Sequence, residues 1–207
     1  MIYGCDRMED LKKLSSFYAL VFRQKHIQRW GLMRNAFPET LAAHSSECAI
    51  LTHALATIGN CVYGRDYDVG KAVTMALFHD VPEVFTGDMP TPVKYANAEI
   101  RSQFAKIEEQ STKNLIAKLP GELRSEYEGI FDSIENDEKH HALLKAADRL
   151  CAYIKCVEEE RYGNTEFTGA KKGIEERLRE SAMPELEYFI EHFLPAFSLT
   201  LDEQQLD

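Results

Sequence analysis

The chain lacks any paired-cysteine spacing: Cys5, Cys48, Cys61, Cys151 and Cys156 are odd in number, widely separated and form no CxxC. That excludes a disulfide framework or a zinc ribbon and leaves reduced thiols, expected as small core fillers. No apolar run approaches the roughly 18 uncharged residues needed to span a membrane. The opening segment MIYGCDRMEDLKK carries acidic residues before any apolar core, so a secretory signal is not expected and the chain is expected in the cytoplasm. Basic charge is scarce too. With 24 Lys+Arg against 34 Asp+Glu the formal net charge is −10, which argues against a nucleic-acid polymer as the main partner. A small phosphate ester stays open, because one or two arginines and a metal ion make a locally positive site within an acidic protein. Internal repeats, low-complexity tracts, Pro/Gly-rich linkers and alternating strand patterns are also missing.

What is present is 207 residues of ordinary soluble composition, 44% hydrophobic and 28% charged, a length that suits one domain. Apolar residues recur at helical spacing. A first helix is expected from Leu11 to about Gln28, with Leu14, Phe17, Tyr18, Val21 and Phe22 as its apolar set. Thr40 caps a second, which Gly59-Asn60 should end, and Asp68 caps a third running to His79-Asp80. Pro82 opens a short helix that stops at Gly87, and MPTPV should be a loop because two prolines flank Thr91. Further helices are expected over about 98–118, after Pro120-Gly121, from Asp137 to Gly163-Asn164, and over about 165–182 and 184–194. The fold class is all-α.

Within this pattern, the stretch LFHDVPEVFTGDMPTPVK ends an apolar helix in an imidazole and a carboxylate, His79-Asp80, followed by Glu83 and Asp88. Neighbours on a helix point about 100° apart, so the two share one ion most easily at a helix end, where the backbone bends. Taken alone, such a pair is a capping Asp beside a packed His. Two other residues weaken that reading. His44 sits inside the apolar helix ETLAAHSSECAILTHAL, and Asp148 sits mid-helix in ALLKAADRLCAYI, where an unpaired carboxylate is costly and demands a cation or a strong donor. A water-activating metal site needs such imidazoles and carboxylates from separate elements. Glu83 follows His79 by four residues and Asp80 by three, so a helical turn projects it over the same site. Cys48, four residues after His44, is expected to fill core, and His140 and His141 to lie on the surface.

The order H…HD…D resembles that of the HD-domain metallophosphohydrolases. The segments QRWGLMRNAFPETLAAHS, ALFHDVPEVFTGDMPTPVKY, KAADRLCAYIKCVEE and MPELEYFIEHFLPAFSLTLDE extend the likeness, over nearly the whole chain, to the bacterial HD-domain 5′-deoxynucleotidases. The resemblance implies one HD-type helical bundle over residues 1–207, with a metal-binding core at about 29–160 and C-terminal helices at about 164–195. It implies that His44, His79, Asp80 and Asp148 hold one divalent transition ion, with Co²⁺ or Mn²⁺ suggested by the family and Zn²⁺ not distinguishable on bond chemistry. Arg29-Trp30 matches the family's Arg-Trp pair, with Arg29 on the phosphate and Trp30 on the nucleoside. Asp88, Met89, Pro90 and Thr91 match a nucleotide-contacting loop, and His44, Asp80 and Asp148 also face the substrate. Glu83 matches the family's essential glutamate, assigned to proton handling, with Asp88 in support; Glu83, Asp88 and Arg29 form the expected catalytic set.

One departure is Ala43, where the family commonly has Glu before the first metal-binding His; it puts a hydrogen bond to the ligand in question, not the ligand. Two-metal HD phosphodiesterases need extra histidines between the HD pair and the last aspartate, and residues 81–139 contain none. That favours a single-metal site and removal of one simple phosphate, and the resemblance implies hydrolysis of a deoxyribonucleoside 5′-monophosphate by a homodimer. The alternatives are a nucleoside triphosphate or alarmone phosphohydrolase, and a non-catalytic metal- or nucleotide-binding module.

Overall fold

The computed structural model describes residues 14–94 and 96–205, apart from the Thr91 side chain. The expected start of the first helix at Leu11, and Cys5, lie outside the described residues. Among the described residues there is no strand, only one antiparallel bridge between Gln28 and Thr40. The described residues form ten α-helices in order: α1 Phe17–Val21, α2 Leu41–Tyr63, α3 Val69–Phe78, α4 Thr91–Lys94, α5 Ala98–Ile116, α6 Gly121–Asn136, α7 Glu138–Arg161, α8 Thr168–Glu180, α9 Pro184–His192 and α10 Leu201–Gln204. Short 3₁₀ helices at Phe22–His26, Val81–Val84, Thr165–Phe167 and Leu194–Ser198 join them. None of the described helices is long and apolar enough to cross a membrane.

The caps follow the expected chemistry. The side chains of Thr40, Asp68, Asn97 and Asp137 accept from the backbone N–H groups of Ala43, Lys71, Ile100 and His140, satisfying donors that a helix start leaves open. The centre of the fold is the packing of α2 against α3, α7 and α9. With His44 between the first two, Leu41, Cys48, Leu51 and Leu55 form a stripe spaced three and four residues apart along α2; its apolar members are buried, which turns His44 into the interior. On α7, Leu143, Ala147, Leu150 and Ile154 do the same.

Several expectations need correction. The first helix is one turn and a half of α-helix followed by 3₁₀, and Leu14 and Phe22 of its apolar set are each 69% exposed. Helix α2 runs through Gly59-Asn60 and ends at Gly64, whose φ of 64° suits a glycine cap. Gly59 is needed for contact instead: a β-carbon there would lie 2.4 Å from Cε2 of Tyr67. Asn60 fixes Tyr67 by accepting from its N–H at 2.8 Å and donating to its carbonyl at 3.0 Å. The segment after Pro90 is not a loop throughout, since Thr91–Lys94 makes a helical turn whose Val93 and Lys94 N–H groups donate to the Pro90 carbonyl. Proline at the start of a turn costs no hydrogen bond. His140 is buried rather than on the surface: its Nε2 accepts from the Asp68 N–H at 3.0 Å, tying α7 to the start of α3.

Gly59→Ala is expected to destabilise the fold by about 1–3 kcal/mol, because overpacking must displace a ring held through its own backbone. The check is the urea midpoint; an unchanged midpoint would mean that the Tyr67 ring yields freely.

Candidate active site

Three elements deliver the central cluster. Helix α2 brings His44, fully buried. Helix α3 ends at His79, still helical at φ −60° and ψ −41°, and the chain departs at Asp80 with φ −98° and ψ 7°. This bend lets sequence neighbours face one point. Helix α7 supplies Asp148. His44 Nε2 stands 3.4 Å from Asp80 Oδ2 and 3.3 Å from Asp148 Oδ1, and His79 Nε2 stands 3.2 Å from Asp80 Oδ2. His79 Nδ1–H donates to the Ala76 carbonyl at 2.7 Å, which leaves the Nε2 lone pair directed at the cluster.

Those separations decide what the cluster can hold. Both nitrogens of His44 and Nε2 of His79 are buried and have no hydrogen-bond partner. Buried polar atoms are rarely left this way. Nitrogen and oxygen donors at about 2.0–2.2 Å from a tetrahedral ion lie about 3.3–3.6 Å from each other, close to the three distances found. The residues present therefore fit a divalent ion.

Protons take up that charge balance otherwise. Burial and Arg29 work against charge on His44, but Asp148 and Asp80 outweigh them and raise its pKa to about 10. Burial likewise opposes charge on His79, and Asp80 prevails, to about 9. Burial pushes Asp80 and Asp148 up, yet the two imidazoliums hold both well below the usual carboxylate range.

Glu83 arrives by a 3₁₀ turn. The Asp80 carbonyl accepts from the Glu83 N–H at 3.1 Å, and residues three apart in a 3₁₀ helix eclipse, so both carboxylates share a side. Gly87, at φ 73°, closes the turn by donating to the Glu83 carbonyl at 2.8 Å. Glu83 is 5% exposed, and its Oε2 has no partner. Burial first, then the charges of Asp80 and Asp88, push its pKa up to about 8 against the pull of Lys94 and Arg29. Lys94 Nζ lies 3.9 Å from Glu83 Oε1 and is paired with Glu108 at 2.7 Å. His79, Asp80, Glu83, Lys94 and Asp148 line one cavity of about 1080 Å³ that continues between α5 and α6.

Arg29 reaches the cluster through the Gln28–Thr40 bridge, which lays residues 27–29 beside the start of α2; the Arg29 N–H donates to the Glu39 carbonyl at 2.9 Å. Its Nη1 lies 3.6 Å from Asp80 Oδ2 and 3.9 Å from Asp88 Oδ1. Burial opposes its charge, but Glu39 and the aspartates raise its pKa further, so it stays a cation. Trp30 joins indirectly: its Nε1–H donates to Glu39 Oε2 at 2.6 Å and its ring packs on Phe167. Its φ of 58° is costly for a bulky residue, of order 1–3 kcal/mol. The Trp30 carbonyl, accepting from Met33 N–H and Asn35 Nδ2, keeps that turn in place. Met89 and Pro90 are half-buried in the loop between Asp88 and α4, and the Thr91 side chain lies outside the described residues.

Glu39 escaped the sequence reading. It is 7% exposed and joins Trp30 Nε1, Arg29 Nε at 3.5 Å and His44 Nδ1 at 3.7 Å. A carboxylate thus stands behind His44 even though Ala43 offers none. Its spacing of five residues from His44 gives no helical signal, because Glu39 precedes the cap. Cys48 is buried as expected, and its sulfur lies with donor atoms of His44 and His79 inside a 4.8 Å span.

Residues 16–197 match the family described as 5′-deoxynucleotidase YfbR-like. A 5′-deoxynucleotidase from Shewanella oneidensis is 43% identical over 190 residues, covering 92% of this chain and 97% of its own. One from Erwinia tasmaniensis is 46% identical, covering 91% and 96%. Among solved structures, an HD-domain phosphohydrolase from Listeria innocua superposes with a TM-score of 0.78 over 92% of each chain at 22% identity. A cyanophage S-2L HD phosphohydrolase, bound to dA and one catalytic Zn²⁺ ion, superposes with a TM-score of 0.59 at 20% identity, covering 86% of this chain and 95% of its own. The helical fold is thus that of HD-domain phosphohydrolases, and the chain belongs to the YfbR-like 5′-deoxynucleotidase family of hydrolases.

Proposed function

We propose that the His44–His79–Asp80–Asp148 cluster holds one divalent ion and that the chain hydrolyses deoxyribonucleoside 5′-monophosphates there, with Glu83 as the proton carrier. The observation that carries this is the set of buried imidazole nitrogens without partners, 3.2–3.4 Å from two carboxylates. Family membership supplies the substrate class. A divalent ion at such a site supplies Lewis-acid polarisation of a phosphate oxygen and acidifies water.

The protein's own groups divide the remaining work. Arg29, permanently charged and buried against Asp80 and Asp88, orients the phosphate and takes up charge on the transferring phosphoryl group. Asp88, 3.9 Å from the same Nη1 that faces Asp80, helps hold the guanidinium in place. Hydrolysis needs one proton taken from water and one delivered to the leaving 5′-oxygen. Glu83, its carboxyl pushed up by burial and by Asp80 and Asp88 in the metal-free protein and its Oε2 without a partner, is suited to both transfers. Trp30, anchored by Glu39, and the loop Asp88–Thr91 bound the nucleoside, and their closeness to the ribose 2′ position is the proposed origin of deoxy preference. Against the triphosphohydrolase reading stands the engagement of nearby cations: Arg34 bonds Glu166 and Lys94 bonds Glu108. The family likeness supports a cytoplasmic homodimer with Co²⁺ or Mn²⁺, and the donor set also suits Zn²⁺.

Metal-reconstituted protein should release phosphate from dAMP faster than from AMP, and leave dATP and dGTP nearly untouched; faster turnover of the triphosphates would overturn the assignment. Glu83→Ala should lower kcat by about 10²–10⁴ while metal content, measured by elemental analysis, stays at the wild-type level.

In the metal-free protein Glu83 binds a proton that the unfolded chain releases above about pH 4.5, so its share of stability falls as pH rises from 4.5 to about 8. The two imidazoles, raised in the fold, lose their contribution only above 6.5. Between pH 4.5 and 6.5 the downward slope of unfolding free energy should therefore flatten in Glu83→Gln; an identical slope in both proteins would contradict the buried, protonated Glu83.

Because His44 and His79 are protonated at pH 7 without metal, ion binding should displace roughly two protons. Calorimetry in buffers of different ionisation enthalpy measures this, and binding without proton release would speak against the imidazolium cluster.

A further inference from the structure

Cys48 has no part in the chemistry above, yet it stands beside it. It lies one helical turn after His44 on the same buried stripe of α2 and is 0% exposed. Its sulfur and donor nitrogens of His44 and His79 all fall within 4.8 Å of one another. A tetrahedral ion with nitrogen at about 2.0–2.1 Å and sulfur at about 2.3 Å sets those donors about 3.3–3.6 Å apart, so binding would draw them closer within the 4.8 Å span. Both imidazoles still have an unpartnered Nε2.

The neighbour behind Cys48 is polar as well. Cys151 of α7, three residues after Asp148, is buried next to the Cys48 thiol.

We infer that Cys48 is a thiolate ligand in a second donor set, His44–His79–Cys48, that takes thiophilic divalent ions such as Zn²⁺, Cd²⁺ and Co²⁺. The two imidazoles are common to both sets. Asp80 and Asp148 offer oxygen to harder ions such as Mn²⁺, and Cys48 offers sulfur to softer ones. Which donors close on the ion then depends on the metal supplied, and the sulfur-bound arrangement gives up carboxylate contacts that the oxygen-rich one keeps. This inference rests on the reading of the cluster as a metal centre.

Cobalt separates the two claims, because its visible ligand-field bands report binding and its near-ultraviolet thiolate-to-cobalt charge-transfer band reports sulfur. Metal-free full-length protein titrated with one equivalent of Co²⁺ should show both. Visible bands without the charge-transfer band in the wild type would overturn the role of Cys48 and leave the metal centre standing; no visible bands would overturn both. Cys48→Ser should keep the visible bands and lose the charge-transfer band, whereas Cys151→Ser should keep it. A band that survives in Cys48→Ser assigns the sulfur elsewhere and refutes the inference. Cys48→Ala should weaken Cd²⁺ binding by at least about tenfold and leave Mn²⁺ affinity unchanged; equal losses for both ions would mark Cys48 as a packing residue.

Discussion

Two carboxylates and two imidazoles meet at one point inside a helical bundle, and among the described residues no lysine or arginine stands within ion-pair distance of both acids. Arg29 touches Asp80 from one side at 3.6 Å, and the remaining balance falls to the imidazoles. Without an ion, protons on His44 and His79 supply the positive charge. With one, those protons leave. Charge compensation at this point is the condition that the surrounding architecture serves, because His44 is fully buried while Asp80 and Asp148 are only partly open to water, and charge left unpaired there is costly.

The scaffold meets the condition by using three helices in three ways. The stripe of α2 presents His44 from its middle, the end of α3 presents His79 and Asp80 across a backbone bend, and α7 presents Asp148 mid-helix. The far half of α7 also steadies the loop before α2. Glu159, fully buried, accepts from the Ala36 N–H and from Asn164 and pairs with Lys155, which donates to the Phe37 carbonyl at 2.7 Å. Asp148, Lys155 and Glu159 share one helix face, so the element that supplies a cluster carboxylate also fixes the segment carrying Arg29 and Trp30. Glu39 links the same parts from within, joining the guanidinium, the indole and His44.

The differences between expectation and structure have local causes. Gly59-Asn60 is a stop signal by composition, but Tyr67 packs on the bare glycine and bonds the asparagine, so the pair serves a contact inside α2. Thr91–Lys94 turns helical because a proline at its head loses nothing there. His140 is drawn into the interior by the Asp68 N–H, a donor no periodicity could announce. Leu14 precedes α1 and Phe22 begins the 3₁₀ turn after it, so neither belongs to the short helix that buries Phe17.

The sequence by itself determined the all-α class, the capped boundaries of the long helices, and the four cluster residues with Glu83. Each of these leaves a mark in local order: a cap three residues before its partner, a polar residue in an apolar stripe, an HD pair at a helix end. Tertiary structure alone decided which groups surround the cluster. Glu39 arrives through a strand-like bridge, Lys94 through a turn after Pro90, and Cys48 meets His79 only when α3 packs across α2. Spacing along a chain encodes which face of a helix a residue occupies. The identity of the group opposite that face is set by packing between elements far apart in sequence, and there the chemistry of the site was completed.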